Sequence, residues 1–339
     1  MTDILLCVIN AGSAKSKNKT VRNRQMKDYI VVIGASNIDI GGHPYKKLVA
    51  GDSNPGRISI SYGGVGRNIA HNLALLGVDT KLITAAGKDV LGREMLRYCH
   101  DAGIDTDHSL ISDDMRSSMY MYINDDGGNM DLAVSHVEIT DLIDPEYIDS
   151  LKDIINHSAA VISDSNISRE SLMHLIDICS VPVYIDTVST AHSSKIKGCL
   201  RGIDTIKPNK LEAEYLTDIT ISDDNGYVKA AQIFLDQGVN RIFISAGSEG
   251  IIAAGKEGIY KISSYPSEIV STTGAGDSAM AAIAWASLDK NNSLTDIAKA
   301  ANAVASMTLA VNETNNPDLS RESALKKIKS ADIEVIRLK

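Results

Sequence analysis

The chain has 339 residues, of which 44% are hydrophobic but only 4% aromatic, so a sizeable core built from Ile, Leu, Val and Ala is expected. Its formal charge of −9 argues against a broad basic face for nucleic acid; a phosphate-bearing ligand would need local neutralisation by backbone dipoles or a metal ion. No apolar run reaches the ~18 residues needed to span a bilayer, and Cys7, Cys99, Cys179 and Cys199, without C-x-x-C or metal spacing, read as reduced thiols of a cytoplasmic protein.

Residues 4–8 are apolar, and Lys15, Lys17, Lys19, Arg22, Arg24 and Lys27 follow them. A secretory signal places its charges before the apolar run, so residues 1–28 read as a dispensable, disordered extension ahead of a domain at 29–339. Residues 29–34 (YIVVIG) are expected to form a buried parallel strand. Alternation at 57–62 suits a half-buried strand. In 63–77 a glycine-rich turn leads into a helix, with Ile69, Leu73 and Leu76 at helical spacing and Gly77 past its end. A strand at 80–85 and a helix at 90–102 come next. Two alternating segments within 117–135 flank Asp125-Asp126-Gly127-Gly128, a hairpin signal. Further strands are expected at 159–163, 181–186, 204–207 and 241–245, with helices at 169–179, 192–200, 210–216 and 226–238. Ala-rich helices at 275–288 and 294–311 close the series. This alternation predicts an α/β fold, a doubly wound, mostly parallel sheet flanked by helices. The segments at about 40–62 and 112–136 do not fit a parallel core and are expected to pair into a small β-sheet lid. Ligands of open α/β sheets bind beyond the carboxyl ends of the strands, where such a lid can exclude water.

Four pieces carry chemistry. Ser271-Thr272-Thr273-Gly274-Ala275-Gly276-Asp277 is a glycine turn opening into a helix, whose free N–H groups can hold an anion. Asp277 in the first turn can take a proton from an attacking hydroxyl, which suits phosphoryl transfer. It can also be a helix-start carboxylate favoured by the dipole, and the segment also fits the dinucleotide pattern G-x-G-x-x-A. No Walker P-loop is present. Asn209 and Glu212, three apart after Lys207-Pro208, could hold the waters of a Mg²⁺ ion or form a capping box. Gly63-Gly64-Val65-Gly66-Arg67-Asn68 would let a ligand approach the backbone, with Asn68 reaching a hydroxyl. Asn37 and Asp39 share a strand face and suit a vicinal diol, or end the strand in an Asx-turn.

In this order, over about residues 29–320, the four pieces resemble the PfkB (ribokinase-like) family of carbohydrate and nucleoside kinases. The resemblance implies a ribokinase-like fold, ATP as co-substrate, Mg²⁺, and Asp277 as catalytic base beside an anion hole of Gly274, Ala275 and Gly276. It assigns Lys207, Asn209, Ser245, Gly247, Gly250 and Asn302 to ATP, and Glu212 with Asn209 to the hydrated Mg²⁺. It assigns Asn37, Asp39, Gly63, Gly64, Asn68 and Asn166 to the acceptor. Within the family the chain is most similar to the branch that phosphorylates pseudouridine. Asp52, Ser53 and Asn54 would then read the base from the lid, and a homodimer through the lid is expected. Val65 stands where ribokinases usually carry Lys. Ser271 replaces an Asp that often helps hold potassium, so dependence on K⁺ is doubtful. Other acceptors, such as ribose or a different nucleoside, remain open, as do a non-catalytic sensor on the same fold and a dehydrogenase.

Overall fold

The computed structural model describes residues 29–339; the expected extension at 1–28 lies outside the described residues. In chain order the strands and helices begin with Ile30–Ile33 (β1), Asn37–Pro44 (β2), Gly56–Gly63 (β3), Val65–Leu75 (α1), Thr80–Ile83 (β4), Ala85–Gly87 (β5) and Val90–Asp101 (α2). Short strands Ile104–Asp105 (β6) and Leu110–Ser112 (β7) lead to Met119–Asn124 (β8) and Met130–His136 (β9). Helices Pro145–Ser150 (α3) and Lys152–Asn156 (α4) precede Ala160–Asp164 (β10), Arg169–Ile178 (α5), Val183–Asp186 (β11), Thr190–Ser193 (α6) and Thr205–Lys207 (β12). Then come Lys210–Thr217 (α7), Asp224–Asp236 (α8), Arg241–Ser245 (β13), Ile251–Gly255 (β14) and Gly258–Ile262 (β15). Ala275–Ser287 (α9), Leu294–Thr308 (α10), Arg321–Ile328 (α11) and Val335–Arg337 (β16) complete the chain.

Ten strands form the main sheet in the order β16-β15-β14-β13-β12-β11-β10-β1-β4-β6. It is parallel from β6 to β13 and antiparallel from β13 to β16. The short apolar strands read from the sequence are the parallel ones. They can be continuously apolar because both faces are covered. In β1, Ile30 and Val32 pack into the layer beneath α1 and α9, while Val31 and Ile33 enter the opposite layer, as period-two geometry requires. Along α9, residues 278–284 are all buried. A helix apolar around its circumference is stable only inside the protein, and here small Ala side chains let it lie close to both α1 and α10.

The lid is a separate four-stranded sheet, β3-β2-β8-β9. Residues 110–112 are not part of it; β7 pairs with β5 in a small sheet of its own. The helix expected at 192–200 is reduced to α6, followed by turns. This stretch contains Ser193, Ser194 and Gly198, which favour turns over a regular helix. Among the described residues no helix is long and apolar enough to cross a membrane.

Candidate active site

Three adjacent parallel strands end in charged residues that the register aligns: Asp164 on β10 opposite Asp186 on β11, and Asp186 opposite Lys207 on β12. Asp164 is fully buried and works as a clamp. It accepts hydrogen bonds from the backbone N–H groups of Ala35 (3.0 Å), Gly66 (2.7 Å) and Asn166 (3.0 Å), tying β1, the start of α1 and β10 together. Burial raises its pKa, and these bonds oppose the rise. Asp186 accepts from Val188 N–H at 2.9 Å and ion-pairs with Lys207 Nζ at 3.1 Å, both side chains almost wholly buried. Burial works to lower the Lys207 pKa, but the Asp186 and Glu212 carboxylates leave it above its ordinary value, so the amine stays charged. Val188 has φ 61°, a left-handed conformation costly for a β-branched residue, and it lines the cavity described below.

At the start of α9, Gly274 is the N-cap with φ 81°. A Cβ there would stand 2.0 Å from the Thr314 carbonyl oxygen, so only glycine fits. The N–H groups that open a helix lack intrahelical partners and point outward. Asp277 lies in this first turn and accepts from Asn68 Nδ2 at 2.6 Å on Oδ2. Part of its surface faces the cavity, yet the dense surroundings desolvate it. That burial, with the Asp186 charge, pushes its pKa up to about 7 against the pull of Asn68, Lys207 and Arg67. Lys207 Nζ faces Gly276, 3.4 Å from where a Cβ would sit.

Asn209 and Glu212 form the capping box of α7. Asn209 Oδ1 accepts from Glu212 N–H at 2.9 Å, and Glu212 Oε2 accepts from Asn209 N–H at 2.8 Å. Glu212 also receives Asn209 Nδ2 (2.6 Å) and Thr187 Oγ1 (2.5 Å). The capping box is therefore formed by a Glu that also lines the cavity.

A cavity of about 760 Å³ runs from Asp277, Gly276 and Ala275 past Lys207, Asn209 and Glu212. It continues to Ser245, Gly247, Gly250 and Asn302. Asn302 Nδ2 donates to the carbonyls of Ile262 (3.0 Å) and Ser263 (3.2 Å), which fixes its amide at the far wall. On the other side of Asp277 lie the glycine turn and the lid base. Gly64 caps α1 with φ 92°, its Cα so close to the turn that follows β1 that a Cβ would meet Ala35 O at 2.4 Å. The Asp39 carboxylate packs over Gly63. Burial raises its pKa to about 6 although Arg67 opposes this. Asn37 Oδ1 is buried and has no partner among the described residues.

Asn166, like Asn37, Asp39, Gly63, Gly64 and Asn68, lies outside that cavity's lining; it turns its N–H to Asp164 and its carbonyl to Lys195 Nζ (2.8 Å). Asp52, Ser53 and Asn54 sit exposed at the tip of the β2–β3 hairpin. With a rise of about 3.3 Å per residue, the end of β2 is roughly 17 Å beyond Asp39. The Asn54 amide is consumed by the loop itself, accepting from Val49 N–H and donating to the Val49 and Asp52 carbonyls. Conversely, Asp164 and Asp186 were not singled out from the sequence. The available signal was a carboxylate ending each of two apolar strands, at the sheet edge where ligands bind.

The sequence profile of the pfkB family carbohydrate kinase matches residues 27–321. The chain is 36% identical to the pseudouridine kinase of Escherichia coli K12 over 308 residues, 90% of this chain and 98% of that protein. It is 32% identical over 323 residues to an uncharacterized sugar kinase of the same organism, covering 95% and 88%. The structure of Arabidopsis thaliana ribokinase complexed with ribose and ATP superposes with TM-score 0.79 over 90% of this chain and 99% of that one, at 22% identity.

Proposed function

The chain belongs to the pfkB family of carbohydrate kinases and is a sugar or nucleoside kinase with the ribokinase-like fold, and from that premise we propose that it phosphorylates the 5′-hydroxyl of pseudouridine with ATP. The observation that carries the chemistry is Asp277, largely buried but lining the cavity in the first turn of α9 and held at Oδ2 by Asn68. The acceptor oxygen attacks the γ-phosphorus, its proton passes to Asp277, and the bond from that phosphorus to the ADP oxygen breaks. A base with a pKa of about 7 is matched to proton transfer near neutrality. The outward N–H groups at Gly274, Ala275 and Gly276, with charged Lys207, stabilise the charge on the transferred group. Asn37, Asp39 and Asn68 orient the ribose beneath the lid. Ser245, Gly247, Gly250 and Asn302 line the cavity for the nucleotide.

Among the described residues no three His, Cys, Asp or Glu side chains cluster to hold a bare metal ion. One wall carboxylate, Glu212, with the Asn209 amide, suits a hydrated Mg²⁺ that arrives on the phosphates. When bound, the ion neutralises phosphate charge.

Pseudouridine as acceptor rests on the similarity to the E. coli enzyme along nearly the whole of both chains. The sugar-kinase relative at 32% keeps a second acceptor, a simple sugar, in view. ADP release is measured with ATP against pseudouridine, uridine, adenosine and ribose, each with and without Mg²⁺. Turnover is expected on pseudouridine, and only with Mg²⁺. Preference for ribose would overturn the acceptor and leave the family chemistry intact. On this reading the enzyme works in the cytoplasm, where thiols such as Cys99 stay reduced.

The lid supports a homodimer. In register across it, Ile60, Ile40, Met121 and Val134 form one row and Ile58, Gly42, Ile123 and Leu132 the next. Ile58, Ile60, Leu132 and Val134 are each more than half exposed. Such an uncharged apolar face is what a second copy of the lid would cover. Sedimentation is expected to give a dimer that Ile60→Asp with Val134→Asp converts to monomer; a monomeric wild type would refute it.

A further inference from the structure

Arg67 is the largest fully buried side chain, 1% exposed, and it has no carboxylate within ion-pair distance among the described residues. A buried cation without a counter-ion is costly, so its surroundings should show what it is for. Its five N–H groups, all that a guanidinium carries, meet five acceptors. Nε donates to Gly63 O (3.3 Å) and Nη1 to Asn315 Oδ1 (2.8 Å) and His71 Nδ1 (3.3 Å). Nη2 donates to Tyr62 O and to Asn68 Oδ1. The same Asn68 donates Nδ2 to Asp277 Oδ2. Asn315 completes the cluster by donating Nδ2 to Asn68 O at 2.9 Å.

An amide can turn either end to a neighbour, and its direction is set by what it lies between. Arginine only donates and an ionised carboxylate only accepts, so an amide between them has one satisfied orientation. We propose that Arg67 is a positioning residue for phosphoryl transfer: it holds Asn68 Oδ1 so that Nδ2 grips Asp277 Oδ2, leaving Asp277 Oδ1 for the proton of the acceptor hydroxyl. The inference rests on the kinase reading given above. The segment bearing Asn315 also lies against Gly274 through Thr314, so one stretch of chain braces both halves of the site.

Asp277 is faced by Asp186 from β11, Lys207 from β12, and Asn68 and Arg67 from α1. Arg67 is faced by Tyr98 and Cys99 from α2, Asp39 from β2 and His71 from its own helix. Burial and the Arg67 charge lower the His71 pKa to about 4, so that ring stays neutral and accepts from Arg67. Removing the Arg67 cation thus takes away a charge and a donor that both favour ionised Asp277.

The test is a ¹³C NMR titration of the Asp277 carboxyl, assigned by its loss in Asp277→Asn, in wild type, Arg67→Met and Arg67→Lys, alongside kcat against pH. In Arg67→Met the carboxyl should titrate about 0.5–1 pH unit higher, with the acid limb of kcat following it. At pH 7 kcat should fall about tenfold or more, with ADP affinity unchanged. Arg67→Lys keeps the charge but not the fork, so its titration should stay near wild type while kcat falls. An unmoved titration in Arg67→Met, or, should that variant not fold, an unchanged kcat in Arg67→Lys, overturns the proposal. Absence of turnover in the wild type would instead strike the kinase reading, and the substrate-free titration would still decide whether Arg67 governs Asp277.

Discussion

Asp277→Asn is expected to lower kcat by about 10²–10⁴, the usual worth of a general base, and at pH 8 to make the protein more stable. The loss follows from chemistry: an amide cannot accept the hydroxyl proton at neutral pH, although it can still receive Asn68 Nδ2 in the same place. The gain follows from linkage. The folded-state pKa of Asp277 is about 7 against an ordinary carboxylate value of 3.8. Below the lower value both the folded and the unfolded chain hold the proton and the group costs nothing. Between the two values the unfolded chain releases its proton first, so stability falls as pH rises. Above about pH 7 the whole cost is present. Because part of the carboxyl group meets open cavity, the relief in Asp277→Asn is discounted to roughly 1–3 kcal/mol. Urea midpoints at pH 8 and pH 4 check it: the variant should exceed wild type at pH 8 and match it at pH 4. Equal midpoints at pH 8 would mean that the carboxylate is not desolvated, and near-normal kcat would remove it from the chemistry.

Gly274→Ala should cost far more than Gly77→Ala, although the two glycines have almost the same backbone, φ 81° and φ 79°. At Gly77 a Cβ meets nothing within 4 Å, so only the left-handed conformation is penalised, about 1–2 kcal/mol. At Gly274 the added carbon stands 2.0 Å from Thr314 O and 2.8 Å from the Thr314 side chain. Backbone must shift, adding about 1–3 kcal/mol of overpacking. The shift also turns the first N–H groups of α9, so ATP affinity should drop together with the urea midpoint. Similar midpoints for the two variants would mean that the Thr314 segment yields freely and does not brace the helix start.

What could be read from the sequence was local. The apolar strands β1, β4, β10, β11 and β13, and helices α9 and α10, announce themselves by composition. The turns at Gly63 and Gly274 announce themselves by glycine next to a polar residue. Other features depend on what lies across the fold. Strands β14 and β15 are hard to read because Ile251–Gly255 and Gly258–Ile262 alternate little. Their antiparallel pairing is decided by β13 and the C-terminal β16. Arg67 looked like part of a glycine motif, and its role emerges only once Asn315, 248 positions later, is beside it. Asp52 to Asn54 carry the polar groups a base reader needs, but strand length puts them at the tip. Spacing could not decide between the two uses of Glu212; the capping bonds exist in the ligand-free chain.

The bond between Asn68 and Asp277 spans 209 positions. A ribosome adding about 5–20 residues per second needs roughly 10–40 s to go from one to the other. Through that interval the glycine turn has been made and can fold against β1, but the base that would use it has not been synthesised. If Asp277 is the base, a chain interrupted before α9 has neither base nor anion hole and should not turn over ATP. On the reading proposed above, base and anion hole stand or fall together because one helix start carries both.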